Sequence, residues 1–164
     1  MKIYKYIAIF LLSVVSFGFV KTDAKSDLDA QLALYKKECK DLIKPARYEG
    51  SRTTYFTRKK KTQKKSVEVY LVMDSEYHFA LSGKACAGII NLRVFDFSDE
   101  DSRTLVYEQK AIQGKNVVFN SSDLNATYRK KVPNADRLKN LVIEYEVAAG
   151  EDKLEGIILV IGNK

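Results

Sequence analysis

After Gly50 the apolar residues of this chain stop recurring every three to four positions and begin to alternate, and they keep alternating over most of the remaining length. A period of two puts successive side chains on opposite faces of a strand, so such a segment buries one face and wets the other. Residues 66–73 are the clearest case, with Val67, Val69, Leu71 and Met73 on one face and Glu68 and Tyr70 on the other. Residues 76–82 repeat the pattern with Tyr77, Phe79 and Leu81, which leaves His78 on the outer face. Asp74-Ser75 between them is a short polar turn, and the two segments are predicted to form a hairpin. Further strands are predicted over 52–58, 89–97, 104–108, 116–119, 141–147 and 154–161, and the run 157–161, apolar on both faces, reads as a central strand. Residues 121–131 are ambiguous, with at most a helical turn beginning at Ser122.

Seven to eight short strands, with turn signals about every eight to twelve residues and no βαβ rhythm, describe a mainly β fold. The expected architecture is an antiparallel β-sandwich of jelly-roll type, with a barrel as the other closed solution.

Ahead of the strands, Leu28, Leu32, Tyr35, Cys39 and Leu42 recur at helical spacing over residues 26–43, with Lys36, Lys37 and Lys40 on the wet side. Ser26 is placed to cap this helix, Asp27 and Asp29 suit its first turn, and Pro45 ends it. Residues 1–24 have the three-part grammar of a cleavable signal peptide: Lys2 and Lys5, an apolar stretch over 7–20, then Thr22-Asp23-Ala24. Fourteen apolar-region residues fall short of the roughly 20 that a bilayer core requires. The expected organisation is a signal peptide at 1–24 and a single sandwich domain at 25–164 that begins with the helix. The chain is accordingly expected to be exported to the periplasm, the cell surface or the medium.

Of the formal net charge of +7, residues 1–24 contribute +2, through Lys2, Lys5 and Lys21 against Asp23. Residues 52–65 contribute +7 with no acid, so basicity is local. Its centre is RKKKTQKK, in which Arg58, Lys59, Lys60, Lys61, Lys64 and Lys65 are candidates for holding an anionic lipid or glycan surface. The competing role is a solvated hairpin tip whose lysines guard a strand edge. Export disfavours nucleic acid as a partner. Tyr128, Arg129, Lys130, Lys131, Arg137 and Lys139 offer a second basic patch.

Cys39 and Cys86 are the only two cysteines, and an oxidising compartment favours a disulfide between them; two buried free thiols are the alternative, since Cys39 lies on the helix's apolar stripe. The catalytic inventory is thin. His78 is the single histidine, and the sequence has neither a Gly-rich phosphate loop nor a Gly-flanked nucleophilic serine. No cofactor and no transition-metal set is expected. Asp96, Asp99 and Asp101 form a weak calcium candidate, with a solvated turn as the simpler reading. Glu144, Glu146 and Glu68 could share one groove as the carboxylates of a hydrolase. Tyr48, Tyr55, Tyr70 and Tyr107 could instead form a stacking platform for sugars, although the chain has no tryptophan. Asn125-Ala126-Thr127 fits the glycosylation sequon.

The segments CKDLIKPARYEG (39–50), EYHFAL (76–81) and AGEDKLEGIILVIG (149–162) resemble small exported β-sandwich proteins of Bacteroidota. They are also similar to the jelly-roll modules, including the pre-peptidase C-terminal type, that bacteria append to secreted enzymes. The resemblance implies a sandwich and an envelope location, and assigns no functional residue. The expected function is that of a non-enzymatic exported binding or interaction module, an accessory subunit in the cell envelope. A carbohydrate-binding module is the alternative, and a carboxylate-based hydrolase the third.

Overall fold

In the computed structural model, residues 24–72, 75–97 and 103–164 are described. The signal-peptide expectation therefore falls almost wholly outside the described residues, as do Asp74, Asp99 and Asp101. The alternating segments form eight strands: β1 (Arg47–Thr57), β2 (Gln63–Tyr70), β3 (Tyr77–Ser82), β4 (Ile90–Asp96), β5 (Leu105–Ile112), β6 (Asn116–Asn120), β7 (Asn140–Val147) and β8 (Leu154–Asn163). Helix α1 (Ala24–Leu42) precedes them, and α2 (Ser121–Lys131) lies between β6 and β7.

The strands make two antiparallel sheets, ordered β1-β8-β3-β6 and β2-β7-β4-β5. Apart from the β4–β5 pair, each strand is followed by one in the opposite sheet, which is the wrapping of a jelly roll. The expected hairpin of residues 66–82 is corrected by this topology: β2 pairs with β7, whereas β3 lies between β6 and β8. The reason is what each strand needs on its outer side. Ser66, Glu68 and Tyr70 of β2 are exposed, whereas Ala80 and Ser82, on the outer side of β3, are buried and need a cover. β2 accordingly lies in the bare sheet and β3 in the covered one.

Between the sheets, Phe79, Leu81, Ile157 and Leu159 meet Leu92, Val94, Ile143 and Tyr145, all at most 1% exposed. Phe119 stacks on Phe79 at 4.9 Å and on Tyr107 at 5.1 Å between ring centroids. The second apolar layer is the helix. Leu28, Leu32 and Cys39 of α1, with Ile43 just beyond it, pack on Ala80, Ile158 and Val160. Gly156 permits this approach, because a Cβ there would stand 2.9 Å from Leu32 Cδ1. The expected stripe is corrected at its end: Leu42 is exposed and Ile43 takes the inward position, since residues 43–45 turn out of the helix and shift the phase.

The cysteines are free, which corrects the expected disulfide. Cys39 packs in the helix layer and Cys86 in the sandwich core, so a sheet lies between the two clusters that hold them. Burial pushes the Cys39 thiol up to about 11. For Cys86 burial, then a hydrogen bond to Glu155, pushes it up to about 12.

Helix α2 is longer than one turn. Asn120 caps it from an extended conformation, its side chain accepting the Asp123 N–H at 2.8 Å. The sequon residue Asn125 is buried: its Nδ2 donates to the Ser121 carbonyl at 2.8 Å and its Oδ1 accepts the Leu138 N–H at 2.8 Å, so it ties the helix to the chain entering β7.

Candidate binding face

The two sheets treat their outer sides differently. Helix α1 seals the outer side of β8 and β3, and within the described residues no element packs on the outer side of β2-β7-β4-β5 at its centre. Alternation along β7 sends Leu141, Ile143, Tyr145 and Val147 into the core and presents Glu144 and Glu146 outward. Register then fixes their neighbours: Lys64 and Asn91 flank Glu146, and Ser66 and Arg93 flank Glu144.

Arg93 organises this row. Its Nη2 lies 2.8 Å from Glu144 Oε1 and 2.8 Å from Glu146 Oε2, with all three side chains about one quarter exposed. Asn91 Nδ2 donates to Glu146 Oε1 at 3.4 Å, and Lys64 Nζ reaches the same glutamate at 3.9 Å. A cation spanning two carboxylates on the next strand fixes all three side chains in direction. Cross-strand pairs of this kind contribute about 0.2–1 kcal/mol each. The row continues past Val142 and Phe95 to Asn140, where Tyr70 and Phe97 stand out from the sheet's edge and end.

The hydrolase arrangement looks different in detail. Glu144 and Glu146 converge on one guanidinium nitrogen, whereas a general acid is made by placing a carboxyl in apolar surroundings. Glu68 shares their face, two positions from Tyr70, whose hydroxyl donates to it at 3.4 Å.

The four tyrosines do not form one platform. Tyr48 and Tyr55 belong to β1 on the helix side, where Tyr48 carries Lys40 3.9 Å above its ring and Tyr55 donates to Asp29 of α1 at 2.8 Å. Tyr107 stacks inside on Phe119, and burial holds its phenol above the usual pKa. Tyr70, 66% exposed, alone joins the bare face. His78 lies on the outer side of β3, with Nε2 3.5 Å from Glu76.

The basic residues fall at opposite ends of the sandwich. Residues 58–65 lead to the pairing of Gln63 with Val147, whereas α2 and residues 132–139 lead into the other end of β7, where Asn140 faces Tyr70. Lys59, Lys60, Lys61, Lys64 and Lys65 are exposed. Arg58 is not: its side chain is 16% exposed and its Nε lies 3.6 Å from Glu155, itself 2% exposed. Gly88 and Gly150 form its slot, where a Cβ at Gly150 would overlap the Arg58 guanidinium. Arg58 is thus withdrawn from the expected set of surface cations. Cys86 Sγ donates to Glu155 Oε2 at 3.2 Å and completes the cluster.

Asp96 is 3% exposed and its carboxylate accepts the Thr104 N–H, tying the end of β4 to the residue before β5. Tyr128 faces it, its phenol held above the usual pKa first by burial and then by that carboxylate. Among the described residues no cluster of three or more metal-ligating side chains occurs, and the other two aspartates of the calcium candidate lie outside them. No described helix is long and apolar enough to cross a membrane.

No family model matches the chain, and no curated protein does. Among solved structures, the chain is similar to one titled "CBM4 structure and function", with a TM-score of 0.38, 18% identity, and 74% of this chain and 80% of that one covered. It is also similar to one titled "Structure of infectious bursal disease virus Gx strain", with a TM-score of 0.23, 10% identity, and 70% and 32% covered.

Proposed function

We propose that this chain is a non-enzymatic, exported binding module of a bacterial cell envelope, and that the bare face of the β2-β7-β4-β5 sheet is its contact surface. The observation that carries the proposal is the Arg93 clamp at the middle of that face, held by Glu144 and Glu146 at 2.8 Å each. Groups held in place before binding lose little freedom when a partner arrives, and so use their hydrogen bonds efficiently. The envelope setting is supported by the signal-peptide grammar of residues 1–24 and by the resemblance to exported sandwich proteins. The partner is then a component of an envelope complex, with this chain as its accessory subunit.

A second reading makes the ligand a glycan. It is favoured by the row of Asn91, Arg93, Glu144 and Asn140 that ends at Tyr70 and Phe97, because planar polar groups bond hydroxyls while exposed rings stack on the apolar faces of sugars.

Gentle cross-linking of cells followed by purification tests the first reading: wild-type chain is expected in a discrete adduct that Arg93→Ala loses while remaining folded. Recovery of wild-type chain only as free monomer overturns it. A glycan array separates the second reading, which requires signals that Tyr70→Ala abolishes; a blank array excludes it.

A further inference from the structure

Residues 59–65 form a cationic ridge at the end of the sandwich where β1 crosses to β2, meeting the bare face's central clamp only through Lys64, which stands beside Glu146. Lys59, Lys60 and Lys61 occupy its tip, and Lys64 and Lys65 continue onto β2, an edge strand, pointing to opposite sides of it. All five are exposed, and among the described residues Lys59, Lys60, Lys61 and Lys65 form no ion pair; Lys64 stands 3.9 Å from Glu146.

The ridge has a fixed base. Arg58, largely buried against Glu155 and bordered by Gly88 and Gly150, holds one end. Its N–H donates to the Lys153 carbonyl at 2.9 Å, and the Gly150 N–H donates to the Lys59 carbonyl at 2.9 Å, lashing the crossing to the β7–β8 connection. Gln63 Nε2 closes the other side by donating to the Thr57 carbonyl at 3.1 Å. A sheet-to-sheet crossing that served only to keep an edge strand soluble would not need a largely buried ion pair at its root.

We infer that this ridge is a binding site for a linear acidic polysaccharide, with Lys59, Lys60, Lys61, Lys64 and Lys65 as its contacts and Arg58 as its anchor. Charges at a tip and on both sides of an edge strand suit a flexible chain of spaced anions, which can wrap the edge, better than a plane. Residues 58–65 include no apolar side chain, so they lack the inserted surface with which a protein adds to its hold on a bilayer. Lysine ammonium groups suit this task, as strongly hydrated point charges that release counterions from a polyanion without demanding one geometry.

The test uses the purified chain, with heparin as the model linear polyanion, dextran as the neutral control and phosphatidylglycerol vesicles as the bilayer control. Wild-type is expected to bind heparin, with an affinity that falls steeply as salt rises, to bind the vesicles more weakly than heparin, and to leave dextran unbound. Lys59→Gln, Lys60→Gln and Lys61→Gln together are expected to weaken heparin binding at least about tenfold and to reduce the salt slope by about three. These exposed changes should leave the melting temperature unmoved. The Lys64→Gln, Lys65→Gln pair gives a second reading on the strand portion of the ridge, with a smaller loss expected. Heparin affinity unchanged in the triple variant overturns the inference, as does vesicle binding that equals or exceeds heparin binding.

Discussion

The outer sides of the two sheets differ in one respect that decides much of this molecule's behaviour: one is covered and the other is bare. On the covered side β8 presents Ile158 and Val160, both at most 1% exposed, to Leu28, Leu32 and Cys39 of α1. On the bare side β7 presents Glu144 and Glu146 to solvent and to Arg93. Both are central strands of the same sandwich, flanked by a neighbour on each side. The cover is therefore written into the outward residues of β8 and its neighbour β3. Apolar residues at those positions oblige the chain to supply a helix, whereas charged ones leave the face to solvent.

A charge placed on each face breaks the comparison most severely. Ile158→Asp buries an unpaired carboxylate beneath the helix and costs several kcal/mol, about as much as a domain of this size can lose, so loss of the folded circular-dichroism spectrum is expected. Ser66→Lys on the bare side, opposite Glu144, should stay within about 0.5 kcal/mol of wild-type in urea unfolding.

The Arg58–Glu155 pair is next in size. Glu155→Ala leaves a guanidinium in its slot without a counter-charge and is expected to cost about 3–5 kcal/mol in denaturant unfolding. A loss below about 1 kcal/mol would show that Arg58 turns out to solvent and does not anchor the ridge. On the bare face, Arg93→Ala should cost no more than about 1–2 kcal/mol, since its partners are partly solvated, while removing the adduct that identifies the contact surface.

The thiols, Cys39 beneath the helix and Cys86 in the core between the sheets, sharpen the comparison with the smallest effect on stability. With Cys39 raised to about 11 and Cys86 to about 12, neither is expected to react with a thiol reagent in the native protein at pH 8, and both should react after denaturation without reductant. Thiols titrate in the unfolded chain near 9, so their contribution to stability is complete below that pH and is lost as the pH rises from there through about 12. A melting temperature that falls on adding reductant would restore the disulfide.

Much of this contrast is visible in the sequence, because alternation reports which side of a strand is wet. Glu144 and Glu146 alternate with Leu141, Ile143 and Tyr145, and the run 157–161 has no wet side, so a bare strand and a central covered one can both be read directly. Pairing is not legible in the same way. Residues 66–73 and 76–82 look like a hairpin because each alternates and a short polar link joins them, but alternation carries no information on which sheet a strand joins. Asn120 as a cap is a local signal that the strand pattern masks, because β6 runs directly into α2 with no intervening loop. Arg58 lies in a run of cations that differ by context and not by residue type: its burial depends on Glu155, Gly88 and Gly150, all distant in sequence. Cys39 could be read either as a bridge or as a helix-stripe residue, and packing against Ala80 and β8 makes it the latter.

The most direct test of the bare face as the contact surface is site-specific photo-cross-linking in the cells that make the protein. One chain carries a photoreactive side chain at Ser66, on the bare sheet, and another carries it at Ala33, on the solvent side of α1. A discrete adduct from position 66 and none from position 33 is the expected result. An adduct from position 33 alone, or equal adducts from both, would contradict the assignment.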